Sequence, residues 1–222
     1  MAYLLHVIKA DELFVDVGAN VGSYTVLACT VKQARGCCFE PIPLTYARLN
    51  DNLVLNNLST RVTAHNVGLA DVDGELMFTV ERDCMNHVVQ PGDNGEKAVA
   101  VPVRTLDSML AGESPAVIKI DVEGFETPVL KGASSVLANP SLHSVLMELN
   151  GSGLRYGYDE RWIVDLMHSH GFSGYMYDPF KRELSPISGK SDATNTIFIR
   201  GAERIAALLK NAPLFQVGSH SI

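Results

Sequence analysis

The sequence predicts an α/β fold built on a mostly parallel, doubly wound sheet. Three observations carry that expectation. Short apolar runs of strand length alternate with longer segments whose apolar residues recur at helical spacing. The first run, Leu13 to Val17, stops at a turn containing Gly18 and Gly22, which lets a strand reverse sharply into a helix. The composition, 46% apolar against 19% charged over 222 residues, suits one folded domain and is too hydrophobic for a disordered chain.

Each element follows in order. Tyr24 to Val31 is the first helix after the glycine turn. A second strand ends at Cys38-Phe39-Glu40, where Pro41 closes it, because proline cannot continue a central ladder. Thr45 to Leu55 is helical, and Arg61 to Asn66 is a third strand. Glu75 to Val80 and Val99 to Arg104 are β-like and flank a polar stretch with a turn-rich tip from Pro91 to Gly95, so they predict an inserted hairpin with a long loop. Val117 to Asp121 resumes the strands, Val129 to Leu137 is one helix, and Val145 to Leu149 is a further strand. Arg161 to His170 is a helix stopped by Gly171. Ser173 to Tyr177 and Thr196 to Arg200 close the sheet, and Ala202 to Lys210 makes an amphipathic tail helix. The organisation expected is one domain over 1–222: a short segment 1–12, a core 13–200 and a tail 201–222.

Eighteen Lys and Arg against 25 Asp and Glu leave a net charge of −7, which disfavours nucleic acid and anionic membrane surfaces as partners. The start, MAYLLHVIKADEL, makes a poor signal peptide, and no apolar run approaches the ~20 residues of a membrane span. Cys29, Cys37, Cys38 and Cys84 form neither a CxxC pair nor a zinc framework, so they are expected to be reduced thiols in a cytoplasmic protein. Asp83 and His87, four apart in a loop-like setting, make an improbable metal site, and none is expected. His168 and His170 diverge on their helix.

In open parallel sheets ligands bind at the carboxyl ends of the strands. A dinucleotide fingerprint starting at Gly18 requires glycine where Asn20 and Ser23 stand, which disfavours a nicotinamide-dependent oxidoreductase. The pattern that fits is D-x-G-x-N-x-G, through Asp16, Gly18, Asn20 and Gly22. Glu40 then ends the second strand, at the separation from which a carboxylate reaches two ribose hydroxyls, and it would repel a ribose 2′-phosphate. The bland alternative makes Glu40 a solvated acid and Asp16 a turn cap. The loop carrying Cys84, Asn86, His87 and Gln90 is either an acceptor-side lid or simply solvated.

The segments FVDVGANVGSYTVLA, FEPIPLTYARLNDNLVLNN, VPVRTLDSML, IKIDVEGFETPVLKGA and VLMELNG together resemble the FkbM family of S-adenosylmethionine-dependent methyltransferases, in the family's order over roughly residues 13 to 151. The resemblance implies a Rossmann-like class I methyltransferase: a seven-stranded, mostly parallel sheet with an antiparallel last strand. It implies S-adenosyl-L-methionine as cofactor, with Asp16, Gly18, Asn20 and Gly22 in the first binding loop and Asp16 near the methionine ammonium. Glu40 would bind the ribose, Gly68 would border the adenine, and Asp121 would stand near the transferred methyl. The implied reaction is O-methylation of a hydroxyl on a small molecule or glycan. Lys119 and Asp121 alternate along one strand and share a face, with Glu123 just beyond and Glu148 ending the next strand. Asp121, Glu123 and Glu148 are therefore the candidate catalytic acids, in that order. A structural ion pair from Lys119 to Asp121 or Glu148 is the competing reading. The family's domain commonly has a longer segment before its first strand than residues 1–12. A homo-oligomer is among the partners expected, and a non-catalytic nucleoside- or S-adenosylmethionine-binding module completed by a partner subunit is the alternative to an enzyme.

Overall fold

The computed structural model describes residues 1–82, 85–90, 93, 97–191, 195–218 and 220–222. Along the chain run α1 (Ala2–Val7), β1 (Leu13–Val17), α2 (Ser23–Val31), β2 (Arg35–Phe39), α3 (Pro43–Leu55), β3 (Val62–His65), β4 (Gly68–Leu69), β5 (Gly74–Thr79), β6 (Ala98–Arg104), α4 (Leu106–Met109) and β7 (Pro115–Ile120). There follow α5 (Glu126–Lys131), α6 (Ser134–Ala138), β8 (Ser144–Met147), a 3-10 helix at Ser152–Tyr156, α7 (Glu160–Ser169), β9 (Ser173–Asp178), β10 (Glu183–Pro186), β11 (Thr196–Ile199) and α8 (Ala202–Lys210). A small ribbon of β12 (Gln216–Val217) and β13 (His220–Ser221) ends the chain.

The main sheet has the order β10-β9-β11-β8-β7-β1-β2-β3. β1, β2, β3, β7 and β8 pair in parallel, while β11 runs antiparallel to both β8 and β9. Strand order reverses between β1 and β7, which places the topological switch point, and the crevice above it, at the centre of the sheet. The pleat splits the core in two. Val15, Val17, Ile118, Ile120, Val145 and Met147 face α4, α5, α6 and α7. Phe14, Cys38, Val117, Leu146 and Ile197 face α1, α2, α3 and α8. Cys29, Cys37 and Cys38 are buried free thiols. Among the described residues no helix is long and apolar enough to cross a membrane.

β5 and β6 form the expected hairpin, from Gly74 opposite Val103 to Thr79 opposite Ala98, and β4 joins β6 in parallel to make a second, three-stranded sheet. Its buried face, Phe78, Val101 and Val103 with Ile42 and Val88, forms a separate core beside the crevice.

Two expectations are corrected. The sheet has eight strands rather than seven, because β10 adds an antiparallel edge to β9. Its sequence, Glu-Leu-Ser-Pro, lacks an apolar pattern, and proline is tolerated there because an edge strand leaves one side unpaired. The helix expected over Val129 to Leu137 is two helices. At the break, a Cβ on Gly132 would lie 2.2 Å from the Ala70 carbonyl oxygen, and the Asp107 carboxylate accepts from the N–H groups of Ser135 and Val136 to start α6 afresh. The segment 1–12 contains α1, which buries Tyr3, Leu4, Leu5 and Val7 against α2 and α8.

Candidate active site

A cleft opens over the carboxyl ends of β1, β2 and β7. Gly18, Asn20, Glu40, Gly68, Asp121 and Glu123 line it, together with Ile42, Thr45, Phe78, Asn86, Val122 and Phe125. Loop 18–22 is held against β2 because the N–H groups of Gly18 and Ala19 both donate to the Phe39 carbonyl, each at 3.0 Å. Gly18 has φ +74°, and a Cβ there would lie 1.9 Å from the Asp121 carbonyl oxygen, so only glycine lets the first loop approach the loop after β7. Asn20 and Glu123 carry φ of 51° and 53° without being glycine. Both line the cleft, where backbone strain tends to be kept when it serves a site.

Glu40 follows β2 directly and is only 6% exposed. Its Oε2 accepts from the Asn20 N–H and its Oε1 from the Ile42 N–H, each at 3.0 Å. Burial pushes its carboxyl up to about 7 against the pull of those two N–H groups. Asn66 ties the tips of β2 and β3 together by donating to the carbonyls of Glu40 (2.8 Å) and Pro41 (2.9 Å).

Asp121 is paired: the Lys119 ammonium lies 2.6 Å from its Oδ2 and 5.0 Å from the centre of the Tyr24 ring. Lys119 is 4% exposed, and its backbone partner across the ladder is Asp16. Asp16 is wholly buried, accepts from the Thr25 hydroxyl at 2.7 Å, and has its carboxyl raised by burial against the pull of Lys119. Pleat parity explains its place. Val15 and Val17 face α4–α7, so Asp16 faces α2, behind the loop and outside the cleft lining. Gly22 caps α2 and Glu148 lies beyond the end of β8; neither lines the cleft. Glu123 does, and burial, then the charges of Asp121 and Glu148, push its carboxyl upward.

Glu126 escaped the sequence reading. It is buried in the first turn of α5, where its Oε1 accepts from the N–H groups of Val122 (3.2 Å) and Gly124 (3.3 Å) and so shapes the loop carrying Asp121 and Glu123. The available signal was an acid closing a glycine-containing turn at a helix start. In the β5–β6 connection Asn86 lines the cleft, whereas His87 is buried, with Nδ1 3.0 Å from the Met85 carbonyl and Nε2 3.2 Å from an Asp93 carboxylate oxygen. Asp83 and Cys84 lie outside the described residues. Among the described residues no cluster of His, Cys, Asp and Glu is placed to hold a metal ion.

Residues 16–173 match the methyltransferase FkbM domain. The chain is 29% identical over 166 residues to the hexuronic acid methyltransferase AglP of Haloferax volcanii, covering 74% of this chain and 64% of AglP. It is 30% identical over 147 residues to Methyltransferase 1 of Beauveria bassiana, covering 55% of this chain and 58% of that protein. The chain thus spans less than two thirds of either relative. Among solved structures, SMU.1697c of Streptococcus mutans in complex with SAH shares the fold with a TM-score of 0.54 at 9% identity, covering 89% of this chain and 93% of that one. The domain match takes in the glycine turn, the Glu40 strand tip and the loop after β7, and on it the chain belongs to the FkbM methyltransferase family.

Proposed function

We propose that this chain transfers a methyl group from S-adenosylmethionine to a hydroxyl on a small molecule or sugar. The observation that carries the reading is the buried Glu40 carboxylate at the tip of β2. Each of its oxygens accepts one backbone N–H and keeps a lone pair for a ribose hydroxyl. The cleft around it suits the rest of the donor. Ile42, Val122 and Phe125 give apolar walls for a flat base, and the missing Cβ of Gly18 leaves the backbone open to close approach. Glu40, Asp121 and Glu123 suit a cationic, phosphate-free ligand. AglP's hexuronic acid substrate supports a sugar as acceptor.

The bound cofactor supplies a methyl already activated by a positively charged sulfur. What remains for the chain is to align the acceptor, exclude water and receive a proton. Lys119 fixes Asp121 in one orientation through the 2.6 Å pair, which suits Asp121 to positioning. Among the described residues no cation is ion-paired with Glu123, and burial pushes its carboxyl upward against the weaker pull of Arg155, which favours proton uptake. We assign to Glu123 the acceptor's hydroxyl proton, which its carboxylate would receive as the acceptor oxygen takes the methyl and the bonding pair stays with the cofactor.

A thermal-shift titration tests the reading, because a ligand that binds only the native state raises its apparent stability. S-adenosylhomocysteine is expected to raise the melting temperature and NADH to leave it unchanged; the reverse refutes the proposal. Glu123→Gln is expected to lower kcat by roughly 10²- to 10⁴-fold in labelled methyl transfer to glycans and alcohols, with the S-adenosylhomocysteine shift intact. Wild-type turnover by that variant removes Glu123 from the reaction.

A further inference from the structure

We propose that the acceptor is an oligosaccharide whose outer rings lie on an aromatic track running from the cleft through Tyr156 and Tyr158 to Trp162. The inference rests on the methyltransferase reading above and names the substrate class of that same site.

The track begins inside the cleft. Phe125 lines it, and the Tyr156 ring meets Phe125 edge to face at 5.3 Å between centroids. Tyr158 stacks on Tyr156 at 6.2 Å with the planes 29° apart. Beyond it, the Lys131 ammonium lies 5.7 Å from the centre of Tyr158 and 5.6 Å from that of Trp162. Phe125 and Tyr156 rest their inner sides on the core under β5 and β6. Tyr156 and Tyr158 are nonetheless part-exposed, and Trp162 is 36% exposed at the start of α7.

The segment is also fixed before any ligand arrives. The Tyr156 hydroxyl donates to the Val88 carbonyl at 2.9 Å, and the Tyr158 N–H donates to the Gly153 carbonyl at 3.0 Å. The Asp159 carboxylate caps α7 through the Arg161 N–H at 2.9 Å, just before Trp162. Pre-set aromatic rings bind with little ordering cost. A pyranose ring has one face of C–H groups and a rim of hydroxyls. Its C–H face complements the electron-rich face of an aromatic ring, and the Lys131 ammonium, which lies over Tyr158 and Trp162 in the free chain, swings aside to donate to its hydroxyls. A row of rings leading out of an acceptor cleft therefore fits several joined sugar rings better than a single small alcohol.

Trp162 is the only tryptophan in the chain, so its emission reports the outer end of the track directly. The probes are trigalacturonic acid, maltotriose and the monomer galacturonic acid, each titrated into the full chain saturated with S-adenosylhomocysteine. The expected result is a saturable change in Trp162 emission with at least one trisaccharide, at least about tenfold weaker with the monomer. Tyr158→Ala is expected to weaken that binding about 5- to 10-fold. Trp162→Phe, followed by calorimetry, is expected to retain most of it and Trp162→Ala to lose it, both with the S-adenosylhomocysteine shift unchanged. If neither trisaccharide changes the emission while that shift persists, the track is overturned and the cofactor site stands. Equal binding of monomer and trisaccharide, or undiminished binding by Trp162→Ala, overturns it as well. Absence of the S-adenosylhomocysteine shift itself overturns the methyltransferase reading instead.

Discussion

Glu126→Gln separates the two consequences of burying a carboxyl under the loop after β7. Glu126 is 3% exposed and supplies the oxygen that holds the Val122 and Gly124 N–H groups. Burial moves its carboxyl from 4.5 to about 7, despite the opposing pull of those donors. A folded-state value above the unfolded one means that the folded chain binds the proton more tightly. The associated stability is therefore complete below about pH 4.5 and is lost as pH rises through about 7. The gap between the two values amounts to roughly 3 kcal/mol. Glutamine keeps an acceptor oxygen for both N–H groups and does not titrate, so the variant should gain on the wild type by about 2.5 kcal/mol between pH 5 and pH 8, the rest of the gap having closed below pH 5. Urea unfolding of both proteins across that range measures the gain, and other titrations largely cancel in the difference. Glu126→Ala is the control. It strands both donors at every pH and should cost about 2–6 kcal/mol throughout. Parallel wild-type and Gln curves from pH 5 to pH 8 would refute the reasoning, because Glu126 would then be ionised throughout.

Gly18→Ala places a Cβ 1.9 Å from the Asp121 carbonyl oxygen at φ +74°, and should cost about 2–4 kcal/mol in urea unfolding and remove the S-adenosylhomocysteine shift. Near-wild-type stability would show that the two loops are not in contact. Because the Glu40 carboxyl is pushed up to about 7 and its ionised form accepts ribose hydroxyls best, S-adenosylhomocysteine affinity should rise from pH 6 to pH 8 in calorimetry. Glu40→Gln should bind more weakly and without that rise; a flat wild-type profile counts against the ribose assignment. Lys119→Met leaves Asp121 and Asp16 without their shared cation and should lower stability by about 2–3 kcal/mol, less than for a fully buried pair because the Asp121 side chain is 30% exposed. An unchanged urea midpoint would show that the pair contributes nothing.

The elements legible in the sequence are those whose signal is local. β1 and β7 are buried throughout and apolar but for Asp16 and Lys119, because helices cover both faces of the sheet, and α7 ends where Gly171 permits a left-handed turn. β10 and the division of α5 from α6 depend on distant partners. Glu183 to Pro186 is a strand because β9 lies beside it, and the break at Gly132 follows from the approach of the Ala70 carbonyl. Neither partner can be read from the residues themselves, since contact across the fold overrides local propensity there.

The site divides along the same line. Glu40 and Asp121 are legible because strand ends converge at the switch point whatever the surrounding loops do. Asp16 sits in the same motif, yet pleat parity turns it under α2 toward Thr25, and only the assembled layers show which face looks into the cleft. Glu126 is harder still, because its partners are two N–H groups of a loop whose path turns on the φ of 53° at Glu123. The cleft's acidity accordingly has two origins. Glu126 is buried because backbone donors need acceptors, and its bonds hold the loop after β7 in place; Asp121 and Glu123 border the open space, and Glu40 does both, bonding the Asn20 and Ile42 N–H groups while lining the cleft. A net charge of −7 sums both kinds. Only the positions of these carboxylates separate the acids that build the cleft from those that face its ligand.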